Sequence, residues 1–191
     1  MGREIRKVPP NYVHPQKYHD YSGEMRDVAM FDKTFEQACA EWDAEWAAWQ
    51  SGKRPSYYKK VDGDDTTVAF FSDYHGLRPN DPSDYRPWSD AEATWYQVWQ
   101  TVSEGSPVSP PFATQDELID YLAEHGDFWD QDRCKRPEWP KLYGGKPGVS
   151  AWGRARAEAF VKAAWAPSMA MIGGKFYEGS AVALALSDIP A

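Results

Sequence analysis

His125, Asp127, Asp130 and Asp132 fall within eight residues, with Phe128 and Trp129 between them. Hard carboxylate oxygens with one imidazole are a donor set that suits magnesium or manganese, and so metal-assisted hydrolysis. The competing reading is a polar loop on an acidic surface, anchored by its two aromatic rings. That reading is preferred, because nothing in the spacing forces the four donors to converge. No metal and no cofactor is therefore expected, and these four residues are kept only as weak metal candidates.

Other chemistry is absent from the pattern. Asp62-Gly63-Asp64-Asp65 lacks the downstream spacing of a calcium loop. The remaining histidines, His14, His19 and His75, accompany no Gly-x-Ser-x-Gly elbow. Gly144-Gly145-Lys146-Pro147-Gly148 has proline where a phosphate-binding loop needs Ser or Thr. Of the two cysteines, Cys39 and Cys134, Cys39 lies on the apolar face of a predicted helix and is read as a buried free thiol, with a disulfide possible in principle. No catalytic residue is assigned, and an enzyme is the less favoured class.

Charge is the stronger signal. The chain has 191 residues and a net charge of −8. Residues 1–60 carry +1, residues 61–132 carry −14, and residues 133–191 carry +5. Such a middle segment either keeps the protein solvated or meets a basic partner. Direct nucleic-acid binding is not expected, since the basic clusters are short. No apolar run approaches a membrane span, and no hydrophobic stretch follows the basic N-terminus, so a cytoplasmic protein without membrane contact is expected. Ten Trp, eleven Tyr and eight Phe supply core and leave a surplus suited to interfaces.

The elements that must position these groups read as follows. Residues 1–31 form an irregular, proline-rich arm anchored by Ile5, Val8, Tyr12 and Tyr18. Residues 34–50 form a helix whose stripe is Phe35, Ala38, Cys39, Trp42, Trp46 and Trp49, with Glu36, Glu41, Asp43 and Glu45 off it. A hairpin spans 56–72 and a loop 73–90. A second helix covers 91–103, with Trp95, Val98, Trp99 and Val102 on one face. Thr114-Gln115-Asp116-Glu117 is a capping box opening a helix to Glu124, with Leu118, Ile119 and Leu122 inward and Gly126 closing it. Residues 127–149 are loop. Ser150 caps a last helix to about Trp165, buried along Trp152, Ala155, Ala159, Phe160 and Ala163 and ended by Pro167. Gly173-Gly174 turns a two-residue hairpin between 169–172 and 175–177, and 181–186 is a short apolar element. The sum is an α+β single domain, 1–191, mostly helical, with about four helices and one or two short β-hairpins.

Gly2-Arg3-Glu4-Ile5-Arg6-Lys7-Val8-Pro9-Pro10-Asn11 followed by His14-Pro15 resembles the opening of a family of uncharacterised tailed-phage and prophage proteins. Four further blocks are similar: 94–99, 109–114, 126–129, and 159–169 with its Trp165-Ala166-Pro167-Ser168-Met169 end. The resemblance implies an accessory phage gene and carries no activity to any residue.

The expected function is a phage-encoded accessory protein that binds a basic host or phage protein through an acidic surface. Inhibition of bacterial defence, such as anti-CRISPR activity, is its sharpest form. The interface residues are Asp116, Asp120, Glu124, Asp127, Asp130 and Asp132, with Trp129 as hot spot. At four-residue spacing, 116, 120 and 124 share one helix face. The alternatives are a metal-assisted enzyme using the His125 loop and a virion structural or assembly protein. Oligomeric state is not legible.

Overall fold

The computed structural model describes residues 2–53, 71–101, 105–136, 149–167, 169–172, 175–179 and 182. They fall into two compact units, residues 1–30 with 88–191, and residues 31–87.

The larger unit is built on a four-stranded antiparallel sheet. Its strands are β1 (Arg3–Val8), β4 (Trp95–Gln100), β5 (Ser106–Pro107) and β6 (Trp165–Ala166), in the order β5-β4-β1-β6. Arg3 stands opposite Gln100 on one side and Ala166 on the other. Two separate hairpins belong to the same unit. One pairs β2 (Gln16–His19) with β3 (Glu24–Asp27). The other pairs β7 (Met169–Ile172) with β8 (Lys175–Glu178), Ile172 opposite Lys175; Gly173-Gly174 of the expected turn lie outside the described residues.

Among the described residues three helices complete this unit: α3 (Gln115–His125), α4 (Phe128–Cys134) and α5 (Arg154–Ala163). α3 starts as expected. The Thr114 hydroxyl accepts from the Glu117 amide, and the Glu117 carboxylate accepts from the Thr114 amide. Gly126 closes the helix at φ 68°, a conformation glycine adopts without strain. Leu118, Ile119 and Leu122 are buried against Ala157, Phe160 and Val161 of α5, with Val98 of β4, Val108, Trp152 and Ala166. Each such aliphatic side chain contributes roughly 1.5–3 kcal/mol. A second cluster holds Val8, Met30, Trp88, Ala93 and Trp99.

The two clusters explain the largest correction to the sequence reading. Residues 91–103 were expected to be helical, yet Trp95–Gln100 is strand β4. Neighbouring residues Val98 and Trp99 go to different clusters, so both faces are covered. A strand buried on both faces loses its period of two, and a short apolar run then reads equally well as helix. The fold is accordingly a small α+β fold rather than a mostly helical one with four helices. Only the helix Phe35–Gln50, α3 and α5 reach ten residues among the described helices.

The N-terminal segment is no irregular arm: β1 lies between two other strands, and Pro9 and Pro10 merely end it. Val8 is fully buried, whereas Tyr18 is exposed on its hairpin. The expected loop 127–149 contains α4, capped by Asp127. The last helix starts after Gly153 without a side-chain cap, so Ser150 is not its cap. That helix ends at Ala163, before Pro167, and Ala155 and Ala163 are exposed while Ala157 and Val161 are buried.

Residues 31–87 make the smaller unit. Its main element is α1 (Phe35–Gln50), opened by a capping box between Thr34 and Gln37. Only Ala38 and Cys39 of its stripe are buried. Trp42, Trp46 and Trp49 instead surround Phe71 of α2 (Phe71–His75), with ring centroids 5.1–5.7 Å away. Phe71 was expected in a strand of the 56–72 hairpin; residues 56–70 of that hairpin lie outside the described residues. Of the short apolar element at 181–186, only residue 182 is described.

Candidate functional site

The acidic helix α3 is amphipathic. Its inner face is the Leu118, Ile119 and Leu122 stripe, and Asp116, Glu117, Asp120 and Glu124 are exposed on the outside. Glu117 is committed to the cap. Asp120 accepts from Arg154 of α5 at 2.7 Å, and Arg154 also donates to Glu158 at 2.8 Å. Two carboxylates on one guanidinium raise the Arg154 pKa above its ordinary value. Asp116 makes no ion pair among the described residues, and Glu124 meets only the His125 imidazole, at 3.8 Å.

The carboxylates of α4 sit differently. Asp127 is fully buried: its Oδ2 accepts from Arg3 Nε of β1, and its Oδ1 accepts from the Asp130 amide at 2.8 Å. Asp130 is buried too, accepting from Trp152 Nε1 at 2.5 Å and pairing with Arg133. These two groups tie α4 to the sheet and to the start of α5. Asp132 is half-buried and pairs with Arg136 at 2.6 Å. His125 is exposed, its ring 5.0 Å from that of Tyr121. The four metal candidates thus point to different partners. Among the described residues no three His, Cys, Asp or Glu side chains stand close enough to hold a metal ion.

Two aromatic residues remain at the surface beside these groups in the chain. Phe128 is 44% exposed and Trp129 37%. The indole of Trp129 donates to Gln100 Oε1 at 3.1 Å, which holds the ring in place at the end of β4.

The smaller unit holds a site that the sequence reading did not assemble. A cleft of about 250 Å³ is lined by Phe31, Trp42 and Tyr85 together with Lys33, Glu41, Glu45 and His75. Lys33 pairs with Glu41, and His75 with Glu45. The available signal was Glu41 and Glu45 at four-residue spacing on either side of Trp42 in one helix. His75 comes from α2, which no sequence signal brings near.

No family model, no curated protein and no solved structure matches this chain. No helix among the described residues is long and apolar enough to cross a membrane.

Proposed function

We propose that this chain is a phage-encoded accessory protein that acts by binding a basic host or phage protein, with the outer face of α3 as its principal contact. One observation carries the reading: α3 is clamped on its inner face by the Leu118, Ile119 and Leu122 core, so the exposed Asp116 and Glu124 carboxylates are presented on a rigid support. Carboxylates held this way steer a partner's Lys and Arg side chains and raise the association rate at low salt. Phe128 and Trp129 add apolar surface of the kind that dominates binding energy. Asp127 and Asp130, buried in internal pairs, serve the contact by holding α4 in position. Inhibition of a bacterial defence component is the sharpest form of the proposal, and it rests on the phage resemblance.

The test is capture of a partner from host lysate by the wild-type chain and by D116K/E124K, which spares the Asp120–Arg154 pair. A stoichiometric basic partner, captured at low salt by the wild type and lost with the variant, is expected. Equal capture by both proteins would refute α3 as the contact.

A further inference from the structure

The cleft between α1, α2 and the chain around Tyr85 takes no part in that reading, since all its described lining belongs to the smaller unit. Its walls are aromatic. Phe31 and Tyr85 stack at 5.2 Å, tied by a backbone bridge between the same residues, and Trp42 stacks on Trp46 at 5.9 Å. Its charged groups are two carboxylates against one ammonium and one imidazole.

The carboxylates are incompletely used. The closest contacts of Glu41 and Glu45 with Lys33 and His75 run through Oε2, and their side chains remain 59% and 53% exposed. Standing four residues apart on one helix face, they repel each other. Among the described residues the Oε1 atom of each accepts no hydrogen bond. Two spare acceptors next to an indole face suit a positive group with several N–H donors. The negative faces of Trp42, Phe31 and Tyr85 attract the same charge, whereas an anion would be repelled by rings and carboxylates alike.

We propose that this cleft binds an organic cation, a guanidinium or alkylammonium group, held between Glu41 and Glu45 against the ring of Trp42. A guanidinium fits best, because its planar fork reaches two acceptors while stacking on an aromatic ring. The cation can come from an arginine side chain of another protein or from a free amine, and the chemistry at the cleft is the same. The site is independent of α3, so D116K/E124K leaves it intact.

Calorimetric titration of the full chain with N-acetyl-arginine methylamide tests the proposal, with the uncharged citrulline analogue as its near-isostere. Saturable binding is expected for the arginine probe, weaker by at least about tenfold for the citrulline probe and for E41Q/E45Q. E36Q, an exposed carboxylate on α1 outside the cleft, is expected to bind like the wild type. Should E41Q/E45Q lose helical signal in circular dichroism, E45Q alone, which keeps the Lys33 pair, replaces it with the same expected direction. Tighter binding of an arginine-containing peptide than of spermidine assigns the cation to a partner's side chain, and the reverse order assigns it to a free polyamine. The proposal is overturned if no arginine probe binds up to about 10 mM, if the citrulline analogue binds equally well, or if the folded glutamine variant binds undiminished.

Discussion

Helices α1 and α3 begin in the same way and end up doing different work. Each opens on a Thr capping box with both reciprocal hydrogen bonds made. α3 then buries Leu118, Ile119 and Leu122 against α5 and the sheet. α1, richer in large rings, buries only Ala38 and Cys39 and leaves Trp46 39% exposed. A cap decides where a helix starts, but what the helix buries depends on what the rest of the chain brings to it. The consequence shows at the surface. α3 displays carboxylates from a rigid support, while α1 lends its own to the wall of a cleft.

That contrast is broken or sharpened most by the buried pair behind α4. Asp127→Ala removes the partner of Arg3, which is 13% exposed, and the cap of α4 together. A loss of about 3–5 kcal/mol is expected, read as a lowered urea midpoint. A cost below about 1 kcal/mol would mean that the pair does not hold α4 to the sheet.

Next comes the direct comparison of the two helices. Leu122→Ala, at a fully buried position, is expected to cost about 2–5 kcal/mol. Trp46→Ala removes a much larger side chain yet is expected to cost less than Leu122→Ala, because the ring keeps over a third of its surface in water. If denaturant titration reverses that order, the Trp stripe of α1 is a core after all.

The caps provide a matched pair. Thr114→Ala and Thr34→Ala each remove one side-chain acceptor from a helix start, and each is expected to cost roughly 0.5–2 kcal/mol. Similar losses of helical signal on heating would show that the two starts are locally equivalent, as their hydrogen bonds imply.

The smallest expected effect concerns pH. His14 accepts from the Tyr12 hydroxyl at Nδ1 and donates from Nε2 to the Val28 carbonyl, 2.7 Å away, with Trp99 against its ring. Burial pushes its pKa below the ordinary 6.5, outweighing the Val28 hydrogen bond. The folded state therefore binds fewer protons than the unfolded one. Stability is fully present above pH 6.5 and falls as pH drops from there through the folded-state pKa. The midpoint of His14→Gln should fall less across the same range, and an equal fall in both proteins would remove His14 as the cause.

The chain itself determined the features that close within a few residues. Thr114 and Glu117 satisfy each other's backbone amides three residues apart, so α3 was legible from its start to Gly126. The same holds for the pairing of β7 with β8, which sets Ile172 opposite Lys175. The tertiary structure alone decided the rest. β4 is a strand because Arg3 to Val8 pair along it from the far end of the chain, and its two covered faces erase the alternation that would have announced it. Asp127 and Asp130 carry the same charge as Asp116 in the sequence, yet they are buried because Arg3, Arg133 and Trp152 come to meet them. The cleft between α1 and α2 joins Glu45 to His75 in the same manner. Local hydrogen bonding is written in neighbouring residues, whereas burial depends on which distant segment pays the loop-closure entropy to arrive.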